Sequence, residues 1–446
     1  MNRPSRLALI LLGLLLSFSL GAADWDWGGS LDNLSTLIGM VGASSSIQEV
    51  VQKDKLGLWV QVGFSPALTL SAEASYLLSY DTTAMPVLLP YLFDLDYLLA
   101  EWAIRPGLNG SAGRFHVADF SRLVLDHTLD GFQVRWDLPF MSLTGSVGTS
   151  AALLKPVSRI ILSGPDGADL LDNSVYFAPP RLLQSVGAVF PQLFARQDLS
   201  VALLAQEDLR PSSQLIPVGY ENPTFSGRAG GRLHSFLAGA GLNGPLAPSL
   251  YYESFLYFET GSTLSYVADS SSGTGYSWQN KPIVAFFGGL AARYYAERFL
   301  GSRVELRGLF ASGDADNKTF LEGNTAGSST LFVPISRQDT GLAFDPQLGN
   351  LLLLEASYSV KPAGNLQAIL KAQAFLRPTA GAISETGLDP ASTARYLGTQ
   401  LECIVNLRPW SDLGLAFTFS AFLPSAAAFL DAQPRLAGRV ELAAGF

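Results

Sequence analysis

The 446-residue chain holds one cysteine, three histidines and only 15% charged residues, and beyond its N-terminus it has no long apolar run. Each scarcity excludes something. A single Cys403 cannot form an intramolecular disulfide or a zinc site built on several thiolates. It falls between Leu401 and Val405 on an apolar parity and reads as a small hydrophobe. No stretch after residue 23 reaches 18 uninterrupted apolar residues, so membrane-spanning helices are excluded. Acids outnumber bases, 38 to 29, which makes nucleic acid a poor partner because phosphate binding needs basic patches.

Catalytic constellations are equally scarce. Only His116, His127 and His234 could act as ordinary general bases. His234 and Ser235 are adjacent in a strand-like segment, so their side chains point to opposite faces. There is no G-x-S-x-G, no H-E-x-x-H and no glycine-rich phosphate loop followed by lysine. Asp314, Asp316, Asn317 and Glu322 lack the glycine and the spacing of a calcium loop. No catalytic, cofactor-binding or metal-binding residue is assigned, and the chain reads as a non-enzyme.

What is present begins at the N-terminus. "MNRPSRLALILLGLLLSFSLGAADWDW" combines Arg3 and Arg6, an apolar run from Leu7 to about Leu20, and Gly21-Ala22-Ala23. This is the three-part pattern of a signal peptide over residues 1–23, cut after Ala23. Its loss removes two arginines and no acid, leaving 27 bases against 38 acids, a formal charge of −11. Residues 24–50 carry Trp25 and Trp27 without a clear strand pattern, and are expected to form a periplasmic or lumen segment.

From 51 to 446 the dominant signal is alternation. "KLGLWVQVGF" puts Leu56, Leu58, Val60, Val62 and Phe64 on one face, and "SDLGLAFTFSAFLP" does the same with Leu413, Leu415, Phe417 and Phe419. The chain ends "PRLAGRVELAAGF", still alternating at Phe446. Ten-residue segments of this kind in series are the signature of transmembrane β-strands. Seventeen candidate segments can be marked, 156–163 among them. Bacterial single-chain barrels prefer even numbers, so the expectation is an all-β antiparallel transmembrane barrel of about 16 strands, with 18 as the alternative. Short turns such as "KPAGN" alternate with long polar loops. Residues 177–197 break the pattern: Leu182, Val186, Val189 and Leu193 recur at helical spacing after Pro180. That predicts a helix over 182–194, packed over the barrel mouth or constricting the lumen.

A soluble sandwich would charge its outward faces and guard its edges. Here charges gather on one parity of each segment, the parity that would line the interior. The candidate lumen-lining residues are Arg114, Arg135, Asp137, Arg293, Glu297, Arg303, Glu305, Arg307, Lys371, Glu402 and Arg439. A wide barrel with charged walls holds water and biases which solute passes. The alternative is that these charges pair across strands in a plugged lumen.

Two stretches carry a family resemblance. "RVELRGLFASGDADNKTF", followed after a long loop by "LFVPIS", and "YLGTQLECIVNLRPWSDLGLAFTFSAFLP" resemble strand–loop patterns of bacterial porins related to the alginate-export family. The matching positions are Gly398, Glu402, Ser411, Asp412, Leu413, Leu423 and Pro424, with Gln400 and Cys403 departing from the pattern. Phe446 resembles the terminal signal by which the outer-membrane insertion machinery recognises barrel chains. The resemblance, over the last third of the chain, implies an outer-membrane porin. The expectation is passive diffusion of small hydrophilic solutes, with outer-membrane lipid and the insertion machinery as partners and homotrimers as an open arrangement. The alternative is a plugged barrel acting through its loops as an adhesin or structural surface protein.

Overall fold

The alternating segments become the staves of one closed sheet in the computed structural model, which describes residues 24–41, 46–82, 90–216, 229–273, 275–317, 319–321 and 327–446. The expected signal peptide, 1–23, lies outside the described residues. The first six strands are β1 (Asp24–Met40), β2 (Ser46–Ser65), β3 (Leu68–Asp81), β4 (Tyr91–Arg105), β5 (Leu108–Ala118) and β6 (Asp126–Leu138). Then come β7 (Met141–Thr149), β8 (Arg181–Phe194), β9 (Gln197–Asp208), β10 (Gly231–Ala247), β11 (Leu250–Ala268) and β12 (Tyr276–Ala296). The last six are β13 (Ser302–Ala311), β14 (Leu351–Ala363), β15 (Leu366–Leu376), β16 (Tyr396–Trp410), β17 (Leu413–Pro424) and β18 (Arg435–Gly445). Each pairs antiparallel with its chain neighbours, and β1 pairs with both β2 and β18, closing the barrel. Closure satisfies every ladder and removes the edge, the condition for spanning hydrocarbon with strands.

The strand number is therefore 18, not 16, and three segments account for the difference. Of residues 24–50, expected as a periplasmic or lumen segment, those from Ser46 onward belong to β2 and Asp24–Met40 form β1. Its alternation is masked because the outward parity that carries Leu31 and Leu37 also carries Asn33 and Ser35. These bond to Asp54 and Gln52 of β2, each at 2.5 Å. Residues 182–194 are β8, not a helix. Val186 points outward while Leu183 is buried in the lumen, so both parities are apolar and the period of two is lost. Residues 156–163 are not a strand. They belong to the loop after β7, where Ile160 and Leu162 are buried. That loop carries the short helix α1 (Gly164–Leu171), capped by Ser163 and Asp166 in a reciprocal capping box.

The connections sort the barrel's two ends. One end has tight turns, such as 66–67, 106–107, 364–365 and 411–412, and the other has long loops, above all 312–350. Outward-facing aromatics ring the tight-turn end, including Trp25, Trp27, Phe140, Phe299, Trp410 and Phe446, while Tyr80, Tyr91 and Phe93 lie toward the loop end. Two aromatic belts around an apolar band are what a membrane-spanning barrel presents to its lipid interfaces.

The core lies inside the barrel. Residues 331–348 of the long loop fold into the lumen and pack on the inner wall. Phe332 stacks on Phe287 of β12 at 4.9 Å, and Phe344 stacks on Phe422 of β17 at 4.2 Å and meets Phe375 of β15 edge-on. Leu125 and Leu129 join the same cluster from the β5–β6 side, with Tyr257 of β11. Buried polar ties hold the loop in place. Arg232 pairs with Glu259 at 2.9 Å and donates to the Leu331 carbonyl. Gln400 accepts from the Phe344 amide at 2.9 Å and donates to Gln373, which donates in turn to the Thr340 carbonyl.

Candidate functional site: a charged passage beside the loop

Beside and beneath the packed loop, open space remains in the lumen. Three cavities adjoin there. The outermost, about 710 Å³, lies between the 312–321 and 377–390 loops. The middle one, about 650 Å³, is bounded by the inner faces of β1, β2 and β18 and by residues 337–345 of the inward loop. The innermost, about 340 Å³, lies under that loop against β13–β18. Glu385, Thr386 and Gly387 border both the outer and the middle cavity. Asp339, Gly341, Leu342 and Arg439 border both the middle and the inner one.

Local chemistry shapes the loop wall of this passage. Asp345 folds the tip back on itself, accepting from the Thr340 amide at 2.5 Å and from the Gly341 amide at 3.3 Å, and pairing with Arg337 at 2.9 Å. Gly341 has to be glycine here, since a Cβ would lie 2.3 Å from the Gln400 amide nitrogen. Asp339 points outward from the tip, exposed, and reaches Arg159 at 2.8 Å. On the strand side, Arg439 bonds Thr36 at 3.1 Å and lies 3.7 Å from Glu441. Arg435 lies 3.6 Å from Glu385, its guanidinium 5.7–5.9 Å from the rings of Phe344, Phe422 and Phe429. Burial pushes the Glu385 carboxyl above the ordinary carboxylate range; Arg435 opposes that shift and Asp345 adds to it.

Of the residues expected to line the lumen, Arg307, Lys371, Glu402 and Arg439 border the inner cavity, with Lys371 and Glu402 paired at 2.9 Å. Arg293, Arg303 and Glu305 form a separate cluster on β12–β13. There Arg293 reaches Glu253 at 2.8 Å and Glu305 at 3.2 Å, and Arg303 reaches Glu305 at 3.5 Å. Arg135 and Asp137 pair at 3.1 Å near the β6–β7 turn, exposed and away from the passage.

Two placements differ from the sequence reading. Glu297 lies beyond the end of β12, exposed in the turn before β13, so strand parity does not apply to it. Arg114 is 7% exposed and ties strands together: it pairs with Asp130 at 2.9 Å and donates to the Leu95 and Ala152 carbonyls. It does not border the cavities. The sequence reading also missed the loop partners, Asp339, Asp345 and Glu385. The one available signal was the apolar "LFVPIS" inside an otherwise polar loop. Leu331, Phe332, Val333 and Ile335 are all buried, and they carry the charged tip inward.

Solved barrels share this architecture. OccK2 (OpdF) of Pseudomonas aeruginosa, in complex with glucuronate, matches with a TM-score of 0.55 at 11% identity, covering 95% of this chain and 98% of that one. OpdO of the same organism matches at 0.51 and 13% identity, over 95% and 97% of the two chains. A BenF-like porin from Pseudomonas fluorescens Pf-5 matches at 0.54 and 13% identity, over 95% and 98%. At these identities the likeness is one of fold. No family model and no curated protein matches the sequence.

Proposed function

We propose that this chain is an outer-membrane porin giving passive diffusion to small hydrophilic solutes. The observation that carries the reading is the row of three adjoining cavities inside a closed barrel, bordered by charged side chains of both signs. A barrel built only as a surface scaffold has no need of water-sized space beside a folded-in loop. The porin among the structural neighbours supports the same reading. Because one neighbour holds glucuronate, sugar acids belong among the first solutes to test.

Export by the 1–23 signal, recognition of Phe446 by the insertion machinery and kinship with alginate-export-type porins belong to the same proposal. The resemblance of the last third supports the kinship. Association of barrels, as in a homotrimer, is a further part of it. The outward Asn33, Ser35, Gln52 and Asp54 network supports association, because polar groups on a lipid-facing wall are costly unless covered. Cross-linking in membranes tests it, and a monomer alone counts against it.

Planar-bilayer recording of the detergent-refolded protein tests the channel itself. Discrete long-lived conductance steps are expected, and a reversal potential in a salt gradient reads the charge preference. A folded, heat-modifiable barrel without conductance would overturn the open-pore reading.

A further inference from the structure

Outside the lumen, the wall of β13–β18 carries a groove of about 700 Å³. Its larger side chains belong to the lipid-facing parity: Leu370, Leu401, Phe419 and Leu436 are all exposed. The groove runs across the strands. Val304, Tyr358, Leu370 and Cys403 stand in one register from β13 to β16, and the small Ala356, Ala372 and Ala421 leave the hollow beside them. From Val304 on β13 to Leu436 on β18 is five strand spacings, about 24 Å. Because barrel strands tilt by about 40°, such a track climbs about 15 Å, the reach of one leaflet's chains in a hydrocarbon core about 30 Å thick. Its lower end lies at the tight-turn end of the barrel, where Val304 is the third residue of β13. There Tyr358 shares a hydrogen bond of 2.9 Å with Ser302. The turn before Ser302 carries Arg298, and Lys361 at the foot of β14 donates its amide to the Leu300 carbonyl of that turn at 2.9 Å. Both side chains are exposed, and among the described residues neither has an ion-pair partner. Two bases thus stand against one acid, Glu297, beside the mouth of the groove.

We infer that this groove binds an anionic phospholipid of the periplasmic leaflet, the leaflet that the tight turns face. Its phosphate sits by Arg298 and Lys361, and one acyl chain lies along the track that starts at Val304. The inference goes beyond the porin reading and stands whether or not the pore conducts. An apolar track with a basic end fits an amphiphile with an anionic head, because one molecule then supplies both the hydrocarbon and the counter-charge. A second copy of the chain pressed on the same wall would have to bring an acid to the turn as well as an apolar ridge to the hollow.

Native mass spectrometry of the detergent-folded barrel, offered equal amounts of phosphatidylglycerol and phosphatidylethanolamine, tests this. One lipid per barrel is expected to survive removal of the detergent. Phosphatidylglycerol should be kept about fivefold over phosphatidylethanolamine, the size of preference that two exposed ion pairs exert. Ala372→Phe fills the hollow from an exposed position and should abolish retention of both lipids; Ala421→Phe repeats the test from another strand. Arg298→Gln combined with Lys361→Gln should keep a lipid and lose the preference. The gel-mobility shift on heating checks the fold of each variant. Conductance should match the wild type in all of them, since none of these residues borders the lumen cavities. Retention of no lipid, equal retention of both, or phosphatidylglycerol still held by the two Phe variants would overturn the site. A multimer found in place of bound lipid, and lost in the Phe variants, would give the groove to a second copy of the chain and overturn it too. A barrel that selects phosphatidylglycerol without conducting would support the site and overturn the open pore.

Discussion

Gln400 is a buried amide on β16, and its surroundings explain why it is not a carboxylate. Its oxygen accepts from the Phe344 amide while its nitrogen donates to Gln373; a carboxylate could do the first and not the second. The side chain is fully buried, so Gln400→Ala leaves two polar groups unpaired under the loop, at a cost of about 1–3 kcal/mol each. The variant is expected to lose its folded gel mobility at a lower temperature and to show noisier conductance as the 340–344 tip loosens. Glu385 gives a pH dependence with a definite sign. Burial raises its carboxyl above the usual range, so it takes up a proton before ordinary carboxylates as pH falls. The passage then loses a negative charge while Arg435 keeps its positive one, and reversal potentials should shift toward anions. Glu385→Gln is expected to show that shift already at neutral pH and no further step at this site. In stability terms the charged carboxylate costs the folded state above its raised pKa, and the cost is relieved as pH falls toward the unfolded value.

Among the elements, sixteen strands were legible because one face meets lipid and the other meets water or polar loop, which writes a period of two into the residues. The two strands that were missed lack that contrast for opposite reasons. β8 buries Leu183 on its inner face against the packed half of the lumen, whereas β1 puts polar Asn33 and Ser35 on its outer face. The candidate site was legible only by half. Arg307, Lys371, Glu402 and Arg439 follow from strand parity, but their loop partners depend on which loop turns inward, and parity does not describe that. The loop after β7 turns inward through a buried ionic cluster. Asp166 of α1 receives Arg181 at 2.7 Å and Arg210 at 2.5 Å. Removing one member of a buried cluster strands the others without a partner, about 3–5 kcal/mol. Asp166→Ala is therefore expected to open residues 150–180 to external protease while the barrel stays heat-modifiable. Unchanged protease resistance would show that the loop is held by its apolar contacts instead.

At the scale of the whole barrel, closure and assembly meet at Phe446. Its amide donates to the Gly29 carbonyl at 3.0 Å and its carbonyl accepts from the Gly29 amide at 2.9 Å, the last rung between the two ends of the chain. The ring packs so closely over Gly29 that a Cβ there would lie 2.4 Å from it, while two-thirds of Phe446 stays exposed on the outer face. These contacts are local. Deleting Phe446 removes two hydrogen bonds of about 0.5–1.5 kcal/mol each from a seam that β1 and β18 share over eleven residue pairs, so refolding into detergent should be only mildly impaired. The proposed recognition by an insertion machinery, if it holds, reads the exposed ring itself. The deletion is then expected to lower the outer-membrane level in cells severalfold while the purified chain still refolds to a heat-modifiable barrel. Equal losses in both assays would mean that Phe446 acts through closure alone. A loss in cells with refolding intact would assign it to recognition, a role that the exposed ring is placed to serve and that the two rung bonds do not require.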